Sequence, residues 1–440
     1  MVRVVALAVV LAGCDYITNS FITNEFSGDP YPIYPDTTSG AIVVGALPDG
    51  DTAHTAVLDV MSPITIQDHG ATFAPAITHP AIDLLGERGP GGALDLPRAR
   101  FPDPQLVALH PCQTDTCSVG TPADPVDISM VIGMDTLGGD ALRLHLTDDG
   151  TPDTMFILPD IAGDETHRAL ACDADFPSPF HGGGTLVIGG TELAFTNWRI
   201  AIDACFAPDP DPDLIQSARG ADMLLVLSSG LGVSLLGESA YGRYQLVVPS
   251  APPIDSLPDD TVVLPSGPVT GKRVTIATLA LVANSPNNQR APCRQVYASH
   301  VLAFADSPLD AASTDCACGI NSDNTTQCNP FCGVPAIVEL APSAGVDFLI
   351  VPDNDPNLQA LRAELRPDEP EVDGILGTAA LRGLELDIDY PDARLLGRCV
   401  DNAICVARPE IIDETERAQV STCLPQPPGG PITALTPRGS

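Results

Sequence analysis

The sequence is poor in positive charge. Lys272 is its only lysine, and 21 basic residues stand against 57 acidic ones, which gives a net charge of −36. A surface this acidic repels nucleic-acid phosphates and anionic lipid headgroups, so we expect no nucleic-acid partner. We interpret the acidity as a solubilising surface, because specific cation binding would need clustered ligands.

The sequence also lacks a hydrophobic run long enough to cross a bilayer as a permanent helix. The apolar run at residues 4–11 follows Arg3 and is followed by small residues and Cys14. This order is typical of an export signal, and "LAGC" resembles the lipobox of bacterial lipoproteins. The resemblance implies a signal peptide at residues 1–13, lipidation of Cys14 and a membrane anchor in the bacterial cell envelope. The alternative is a cytosolic chain with a hydrophobic first strand.

Cysteine usage favours export. Of the 13 cysteines, 12 remain when Cys14 is set aside, and an even number in an exported protein indicates disulfides. Cys112 and Cys117 could close a small local loop, as could Cys399 and Cys405. Four other cysteines form a cluster that could hold a metal instead: Cys316, Cys318, Cys328 and Cys332. Their spacing fits no common zinc pattern and no histidine is nearby, so we favour disulfides and predict neither a metal site nor a cofactor.

The sequence has few aromatic residues and little helical pattern. Aromatic residues make up 5% of the chain, whereas 44 prolines and 38 glycines indicate many turns. Short apolar runs of strand length alternate with turn residues, as in "AIVVGAL", "TMFILPDI" and "YQLVVP". The best helical pattern is residues 355–367, with three leucines on one face. The sequence therefore predicts an all-β protein, and its 440 residues suit two or three domains.

An internal repeat relates the two halves of the chain. The segment "VIGMDTLGGDALRLHL" matches "ILGTAALRGLELDIDY" when Gly133 is placed on Gly377, because a second glycine and several leucines then align. An earlier pair of segments, "AVLDVMSPIT" and "LVLSSGLGVS", places Asp59 on Ser228. Each half therefore carries a hydrophobic strand, a polar loop, an apolar-apolar-Gly segment and a leucine-rich strand in the same order.

These patterns divide the chain into five parts after the signal peptide is set aside. We predict a tether, an N-terminal β lobe, a C-terminal β lobe, a cysteine-rich insertion within the second lobe, and a C-terminal tail. Their respective bounds are residues 14–36, 37–170, 185–400, 285–335 and 401–440.

The layout resembles the pepsin-like aspartic proteases. In that family each of two β lobes carries Asp-Thr/Ser-Gly at the end of an apolar strand, and a later apolar-apolar-Gly strand threads beside that loop. The segment "VDGILGTAALRGLELDIDYPDARLLG" (372–397) is the strongest match. The resemblance covers about residues 40–400 in scattered segments. It implies a bilobal arrangement of two related β-barrel lobes with few short helices.

The resemblance places Asp59 and Ser228 at the two catalytic positions. An aspartic protease needs two carboxylates about 3 Å apart that share one proton, and their repulsion raises the pKa of one of them. A serine cannot supply that second carboxylate, so we do not expect Ser228 to be competent, and Asp59 is the one candidate catalytic residue. We predict that neither Asp222 nor Asp353 substitutes for it, because Asp222 precedes the loop and Asp353 lies too near Gly377.

The loop positions around this pair are altered as well. Val60 replaces the hydroxyl residue of the family's first loop, and Met61 replaces a glycine that permits close backbone approach. The second loop keeps a hydroxyl residue, Ser229, and a glycine, Gly230, at these two positions. The flap tyrosine of the family has no counterpart between Asp59 and Gly133. The predicted cleft loops comprise Val60, Met61, Ser62, Ser229, Gly230, Gly133 and Gly377.

We therefore expect a lipid-anchored envelope protein without peptidase activity, whose cleft binds a peptide or protein or serves only as scaffold. One alternative is an active peptidase of atypical site, including a homodimer that pairs two Asp59 residues. Another is a disulfide-rich β protein outside the family, in which Asp59 and Ser228 lie far apart. No G-x-S-x-G sequence supports a serine hydrolase, and we interpret His54 and His69 as surface residues.

Overall fold

The computed structural model describes most of both halves of the chain. The described residues are 31–35, 40–48, 51–68, 76–78, 81–85, 97–102, 105–109, 117–138, 141–146, 153–158, 174–177, 180–188, 191–209, 219–277, 279–282, 293, 318–320, 326–328, 337–340, 345–364, 371–390, 394–399 and 405–408. The predicted signal peptide, Cys14 and His69 lie outside them. Among the helices within these ranges, none has the length and apolar character needed to cross a membrane.

The described residues form mainly β-strands, numbered here in chain order. Those before residue 200 are β1 (Tyr31–Pro32), β2 (Tyr34–Pro35), β3 (Ile42–Pro48), β4 (His54–Leu58), β5 (Thr65–Asp68), β6 (Ala76–Thr78), β7 (Ala81–Leu85), β8 (Pro97–Pro102), β9 (Gln105–Leu109), β10 (Ser118–Thr121), β11 (Asp124–Asp127), β12 (Met130–Ile132), β13 (Ala141–His145), β14 (Thr154–Leu158), β15 (Ala174–Pro177), β16 (Phe180–Ile188) and β17 (Thr191–Asp209).

The strands that follow are β18 (Arg219–Leu227), β19 (Ser234–Gly237), β20 (Asp259–Leu264), β21 (Gly267–Ile276), β22 (Leu279–Val282), β23 (Cys318–Ile320), β24 (Thr326–Cys328), β25 (Ile337–Leu340), β26 (Val346–Val351), β27 (Gly374–Leu376), β28 (Leu384–Asp389), β29 (Arg394–Cys399) and β30 (Cys405–Arg408). The helices are short: α1 (Met134–Leu137), α2 (Glu238–Val247), α3 (Pro356–Glu364), α4 (Thr378–Leu381) and a 3₁₀ turn at Ile254–Ser256. The prediction of an all-β fold with few short helices is confirmed.

The described strands form two large sheets, a six-stranded sheet and a two-stranded sheet. A nine-stranded sheet contains strands of the first half, in the order β6-β9-β5-β12-β4-β3-β7-β8, with β2 beside β3. A thirteen-stranded sheet has the order β11-β10-β20-β21-β26-β19-β27-β18-β17-β22-β25-β30, with β16 beside β17. A six-stranded sheet, β1-β14-β13-β28-β29-β15, draws strands from both halves, and β23 pairs with β24 separately.

Each half contains the same four-strand arrangement. In the first half β12 runs parallel to β4 and antiparallel to β5, and β5 runs parallel to β9. In the second half β27, β18, β19 and β26 repeat these pairings in the same order. The registers also agree, since Ile132 pairs with Leu58 and Leu376 pairs with Leu227. The residues that follow β4 and β18 therefore occupy equivalent places.

The two halves meet at β13 and β28, which pair antiparallel across a local twofold axis. Arg143 pairs with Asp387 in this ladder. Both residues lie ten positions after the repeated glycine, Gly133 in one half and Gly377 in the other. The two strands thus meet at equivalent positions, as a twofold rotation requires.

Arg143 and Asp387 form a buried ion pair at this axis. Nε and Nη2 of Arg143 donate to Oδ1 and Oδ2 of Asp387, both at 2.5 Å. The two side chains are only 5% and 4% exposed. A guanidinium and a carboxylate in this two-bond geometry satisfy each other, which offsets part of the cost of burying both charges.

One hydrophobic core crosses from one half to the other. Its buried residues include Leu58 and Leu142 of the first half together with Leu227 and Leu386 of the second. Burial alternates along β3, whereas β4, β13 and β28, which carry three of these leucines, are buried at most positions. Because the core is continuous, the relative position of the two halves is fixed by packing as well as by the shared sheet.

One strand prediction is wrong. The segment "YQLVVP" begins inside α2 and is helical to Val247. Ala240, Tyr241 and Tyr244 form the buried side of this helix, at helical spacing. Leu246 is 84% exposed, so the apolar run that suggested a strand is not a buried segment. The predicted helix at 355–367 is observed as α3, with Leu358 and Leu361 buried.

A disulfide joins Cys205 to Cys293, with sulfurs 2.01 Å apart and a sequence separation of 88. The bond attaches the start of the cysteine-rich region to β17. Cys117 is also disulfide-bonded. Disulfides are therefore present, as the even cysteine count predicts, and closing a loop of this length stabilises a fold mainly by restricting the unfolded chain.

We predict that Arg143→Ala lowers the free energy of unfolding by about 3–5 kcal/mol, because it removes the guanidinium that bonds to both oxygens of the buried Asp387 carboxylate. The double variant Arg143→Met with Asp387→Leu should lose less, since it removes the buried Asp387 charge together with the guanidinium. Urea denaturation monitored by tryptophan fluorescence and circular dichroism measures both. Lys272→Ala is the control, because Lys272 pairs with the 77% exposed Asp259, and exposed pairs contribute about 0–1 kcal/mol. Equal losses in the single and double variants would contradict the prediction.

Candidate functional site

The site is built from the loops that follow β4 and β18. Asp59 follows β4, and its backbone N–H donates to Ile132 O on β12 at 3.0 Å. Ser228 follows β18, and its N–H donates to Leu376 O on β27 at 2.9 Å. In each half, the strand that runs parallel to the loop-bearing strand therefore fixes the loop by the same backbone hydrogen bond. The two loops point toward each other.

Asp59 and Ser228 are in direct contact. The Ser228 hydroxyl donates to Oδ1 of Asp59 at 3.0 Å. The backbone N–H groups of Met61 and Gly230 donate to the same oxygen, at 2.9 Å and 3.2 Å. Within the part of the chain that the structure describes, Oδ2 accepts no hydrogen bond. One oxygen of the carboxylate is thus held by three donors, while the other is available to a ligand or to water.

Burial raises the pKa of the Asp59 carboxyl above its ordinary value. The donors Met61 N–H, Ser228 hydroxyl and Gly230 N–H act in the opposite direction, as does the positive charge of Arg199. In a carboxylate dyad the second negative charge raises the pKa, whereas here desolvation does so. The shift alone therefore does not make Asp59 one member of a proton-sharing pair.

Ser229 ties the two loops together. Its hydroxyl donates to Leu58 O at 2.7 Å and accepts from Val60 N–H at 3.0 Å. Ser229 and Val60 are both fully buried. Val60 occupies the equivalent position in the first loop, and without a hydroxyl it cannot return these bonds. In this link the second loop therefore supplies the hydroxyl group, and the first loop supplies backbone atoms.

The two loops lie so close together that position 230 must be a glycine. A Cβ atom at this position would lie 2.8 Å from Cγ of Asp59. Any side chain would push the two loops apart and break the Gly230 N–H contact. The second loop thus keeps the glycine that lets it reach the carboxylate of the first.

Gly133 and Gly377 serve the same purpose in the two halves. Gly133 N–H donates to the Thr65 hydroxyl, and Gly377 N–H donates to the Ser234 hydroxyl, each at 3.0 Å. A Cβ on Gly133 would lie 2.2 Å from Ile64 O, and one on Gly377 would lie 2.5 Å from Leu231 O. The glycines allow the threaded strand to pass directly beside each loop.

Met61 and Ser62 complete the first loop. The side chain of Met61 is half-buried and packs against an apolar cluster of the second half that includes Leu231 and Leu349. The Ser62 hydroxyl donates to Ile64 O at 2.7 Å, and the Ser62 N–H donates to Asp59 O at 3.0 Å. Met61 is therefore a packing residue between the halves, in addition to lying near the cleft as its position predicts.

Two charged residues that the sequence did not single out support this loop. Arg199 on β17 donates through Nη1 to Met61 O, and its Nε and Nη2 donate to Glu364 at 2.6 Å and 2.7 Å. Glu364 is the last residue of α3. The pair therefore connects the Asp59 loop to a helix of the second half. No sequence pattern could identify it, because the partners are 138 and 165 residues apart.

Tyr390 is a second neighbour that the sequence did not indicate. Its hydroxyl donates to Val60 O at 3.4 Å. Burial, and then the negative charge of Asp59, raise the pKa of Tyr390 well above its ordinary value. Tyr390 follows β28 and comes from the second half, so it is unrelated in position to a flap tyrosine between Asp59 and Gly133.

The side chains of Asp222 and Asp353 make contacts away from Asp59. Asp222 accepts from Cys293 N–H at 2.9 Å, beside the disulfide. Asp353 accepts from the N–H and the hydroxyl of Ser239 in the first turn of α2, and Arg362 lies 3.6 Å from it. Neither carboxylate has a contact with Asp59 among the described residues.

A groove lies beside the Ser228 loop. It is lined by Val119–Thr121 on β10, Gly230–Val233 in the loop, and Val262–Leu264 on β20. All of these residues are uncharged. The two strands come from different halves and touch at one residue pair, Gly120 with Val263. The groove is uncharged and small, with a volume of about 20 Å³, and it lies beside the Ser228 loop.

Comparisons with known proteins find likeness in structure and none in sequence. No protein-family model and no curated protein sequence matches the chain. An aspartic proteinase from Irpex lacteus is similar at 10% identity with a TM-score of 0.38, over 86% of this chain and 99% of that one. Basic 7S globulin from soybean is similar at 11% identity with a TM-score of 0.36, over 85% and 95%. Likeness at this level carries no conclusion about activity.

We predict that Asp59→Asn stabilises the protein increasingly as the pH rises. A carboxyl whose folded pKa exceeds its unfolded value of about 3.9 contributes stability below that value and loses it as the pH passes the folded pKa. The asparagine keeps an oxygen for the three donors and does not ionise. Urea midpoints of the two proteins from pH 3.5 to 8 measure the difference, which should grow from about pH 4 and then level off.

The exposed residue Asp255 provides the matched control, since Asp255→Asn removes a carboxylate that water solvates. It measures how far the loss of a carboxylate outside the site changes stability in the same buffers. A difference for Asp59→Asn that does not change with pH would show that burial does not disfavour the charged form of Asp59.

Proposed function

We propose that the chain is a cell-envelope lipoprotein with a pepsin-like fold and no peptidase activity, which binds a peptide or protein ligand in the cleft between its halves. The observation that carries the proposal is the 3.0 Å hydrogen bond from the Ser228 hydroxyl to Asp59. A hydroxyl occupies the place from which a second carboxylate would share a proton with Asp59.

The chemistry of peptide hydrolysis supports the loss of activity. The dyad mechanism needs one protonated and one ionised carboxyl, so that the pair both activates water and protonates the leaving group. A serine hydroxyl does not take a proton from water at ordinary pH. Ser228 is also fully buried, so it is not accessible as a nucleophile. Asp59 can act as a base or as an acid, but none of the described residues places a second carboxyl beside it for the other role.

The preserved architecture supports a binding role. The paired loops, the Ser229 link and both threaded glycines keep the cleft assembled although one carboxylate is missing. An extended peptide is the ligand class that a cleft between two β halves suits best, because strand edges bind main chain while alternate side chains enter pockets.

The alternative, an active peptidase that uses Asp59, receives less support. In a homodimer that pairs two Asp59 residues, each would have to leave its present partner Ser228. It would also have to displace the loop that Ser229 and Arg199 hold in place. The contacts of Asp59 within one chain thus favour the inactive site.

The peptidase assay decides between these two functions. We expect the purified protein and its Asp59→Asn variant to cleave an unfolded protein substrate at the same background rate from pH 3 to 6. A pepsin-family endopeptidase in the same buffers is the positive control for the assay. Cleavage by the wild type that disappears in the Asp59→Asn variant would overturn the proposal.

The anchor is tested separately. Expressed from its full sequence in a bacterial host, the wild type should be recovered in the membrane fraction and acquire labelled fatty acid. Cys14→Ala should abolish the label and release the chain from that fraction, because the cysteine is the acceptor in the lipobox resemblance. Ser20→Ala is the control nearby in sequence. Unchanged labelling in Cys14→Ala would exclude Cys14 as the lipidated residue.

A further inference from the structure

Two β-hairpins, one from each half, meet beside the Ser228 loop. β10 and β11 form the hairpin of the first half, and β20 and β21 form that of the second half. β10 pairs with β20 through one residue pair, Gly120 with Val263. The hairpin β10–β11 thereby belongs to the thirteen-stranded sheet, whereas β7 and β8 remain in the nine-stranded sheet. The first half thus reaches across to the second half at this point.

The two hairpins share one sequence pattern around their turns. The residues from Gly120 onward read "GTPADP", and those from Val263 onward read "VLPSGP". In each ladder the first of these residues lies opposite the last, so Gly120 pairs with Pro125 and Val263 pairs with Pro268. An opposed pair in an antiparallel ladder exchanges either two backbone hydrogen bonds or none, and proline has no N–H to donate. Neither pair is therefore hydrogen-bonded within its own hairpin.

The prolines turn the backbone groups of Gly120 and Val263 out of their own hairpins. Because neither residue bonds to its proline partner, its N–H and C=O point away from that partner. The two residues lie opposite each other in the β10–β20 ladder, so these groups face one another. Gly120 has a φ of +120°, a conformation that favours glycine. The sequence of each hairpin thus directs one residue toward the other hairpin.

The link between the hairpins depends on backbone atoms rather than on a shared apolar core. Val119, next to Gly120, belongs to a cluster whose buried members all come from the first half. Val262, next to Val263, belongs to a cluster whose buried members all come from the second half. Four residue pairs join β10 to β11 and six join β20 to β21, but one joins the two hairpins. Separating the hairpins therefore breaks one backbone pair and divides neither cluster.

The joined hairpins close a space beside the Ser228 loop. Its lining consists of Val119–Thr121, Val262–Leu264 and, from the loop, Gly230–Val233. Its volume of about 20 Å³ is room for about one water molecule. A peptide residue does not fit there while β10 and β20 are joined. The backbone of the loop is therefore inaccessible to a peptide from this side.

We propose that the two hairpins form a clasp, defined as β10–β11 and β20–β21 joined at Gly120 and Val263, which opens to admit a ligand to the Ser228 loop. The inference rests on the proposed function, because it concerns access to the same cleft. Opening moves the hairpin of the first half away from β20, so that an extended peptide takes its place. The peptide then forms with Val263 the backbone pair that Gly120 forms in the closed clasp.

The hairpin of the first half is the part of the clasp that moves. At its base, Ile128 N–H donates to Cys117 O at 2.9 Å, and both residues are buried. Cys117 is also disulfide-bonded. The turn at residues 122–125 is exposed. In the second half β21 also pairs with β26 over five residues, so its hairpin stays in the sheet while β10–β11 pivots on its buried base.

Hydrogen exchange of the purified full-length chain distinguishes this clasp from a permanent link, and it needs no ligand. The amide of Gly120 reports the opening, and its exchange rate is measured by NMR at urea concentrations below the unfolding transition. A local opening exposes little surface, so the rate should depend only weakly on urea. It should also exceed, roughly tenfold or more, the rate of Val262, whose pair with Val269 lies inside the second hairpin.

Two changes should move this exchange rate in opposite directions. Val263→Pro removes the N–H that faces Gly120 and none that β21 uses, so it should speed exchange of the Gly120 amide about fivefold. Val263→Ala is the matched control, because it shortens the side chain and keeps the N–H. A disulfide in the double variant Thr121→Cys with Val262→Cys, at opposed positions of the same register, should slow exchange roughly tenfold or more. Either cysteine substitution alone should not.

Exchange of the Gly120 amide that follows only global unfolding, or that is the same in Val263→Pro and Val263→Ala, would overturn the clasp. Equal exchange with and without the engineered disulfide would do so as well. Peptidase activity that depends on Asp59 would instead overturn the proposed function without changing any of these rates. The two failures are therefore seen in separate measurements.

Discussion

The threading of β12 and β27 beside the loop-bearing strands is the constraint on which the site depends. Each threaded strand runs parallel to the strand that ends in the loop, and each is followed by a glycine that tolerates no side chain. Backbone hydrogen bonds from Asp59 and Ser228 to these strands then fix the loops before any side chain is considered. Because both halves repeat this geometry, a twofold rotation necessarily brings the loops together.

The side chains depart from this symmetry where catalysis would need it. Asp59 lies opposite Ser228, and Val60 lies opposite Ser229. The acid is on one loop, and the hydroxyl and glycine that hold the loops together are on the other. Further support for the Asp59 loop comes from Arg199, which has no equivalent in the repeat. The contacts that hold the loop backbones thus differ from those of a symmetric pair of aspartate loops. Burial alone raises the pKa of Asp59.

Sequence patterns could predict the strands, the repeat and the pairing of the loops, because alternating burial and repeated glycines are local or periodic. They placed "YQLVVP" in a strand, since a short apolar run does not distinguish a half-exposed helix from a strand. They also could not reveal Arg199, Glu364 or Tyr390, whose partners lie more than a hundred residues away. Sequence patterns also predict a surface position for His54, whereas the fold brings Ser129 and Gln67 beside it.

The ion pair at the twofold axis also bears on how such a chain can assemble. Arg143 and Asp387 occupy equivalent positions of the repeat and pair with each other. In a symmetric dimer made from two first halves, arginine would meet arginine at the axis, and two second halves would bring aspartate against aspartate. Like charges buried in contact strongly disfavour both assemblies. The charges therefore make each half a better partner for its covalent neighbour than for a second copy of itself.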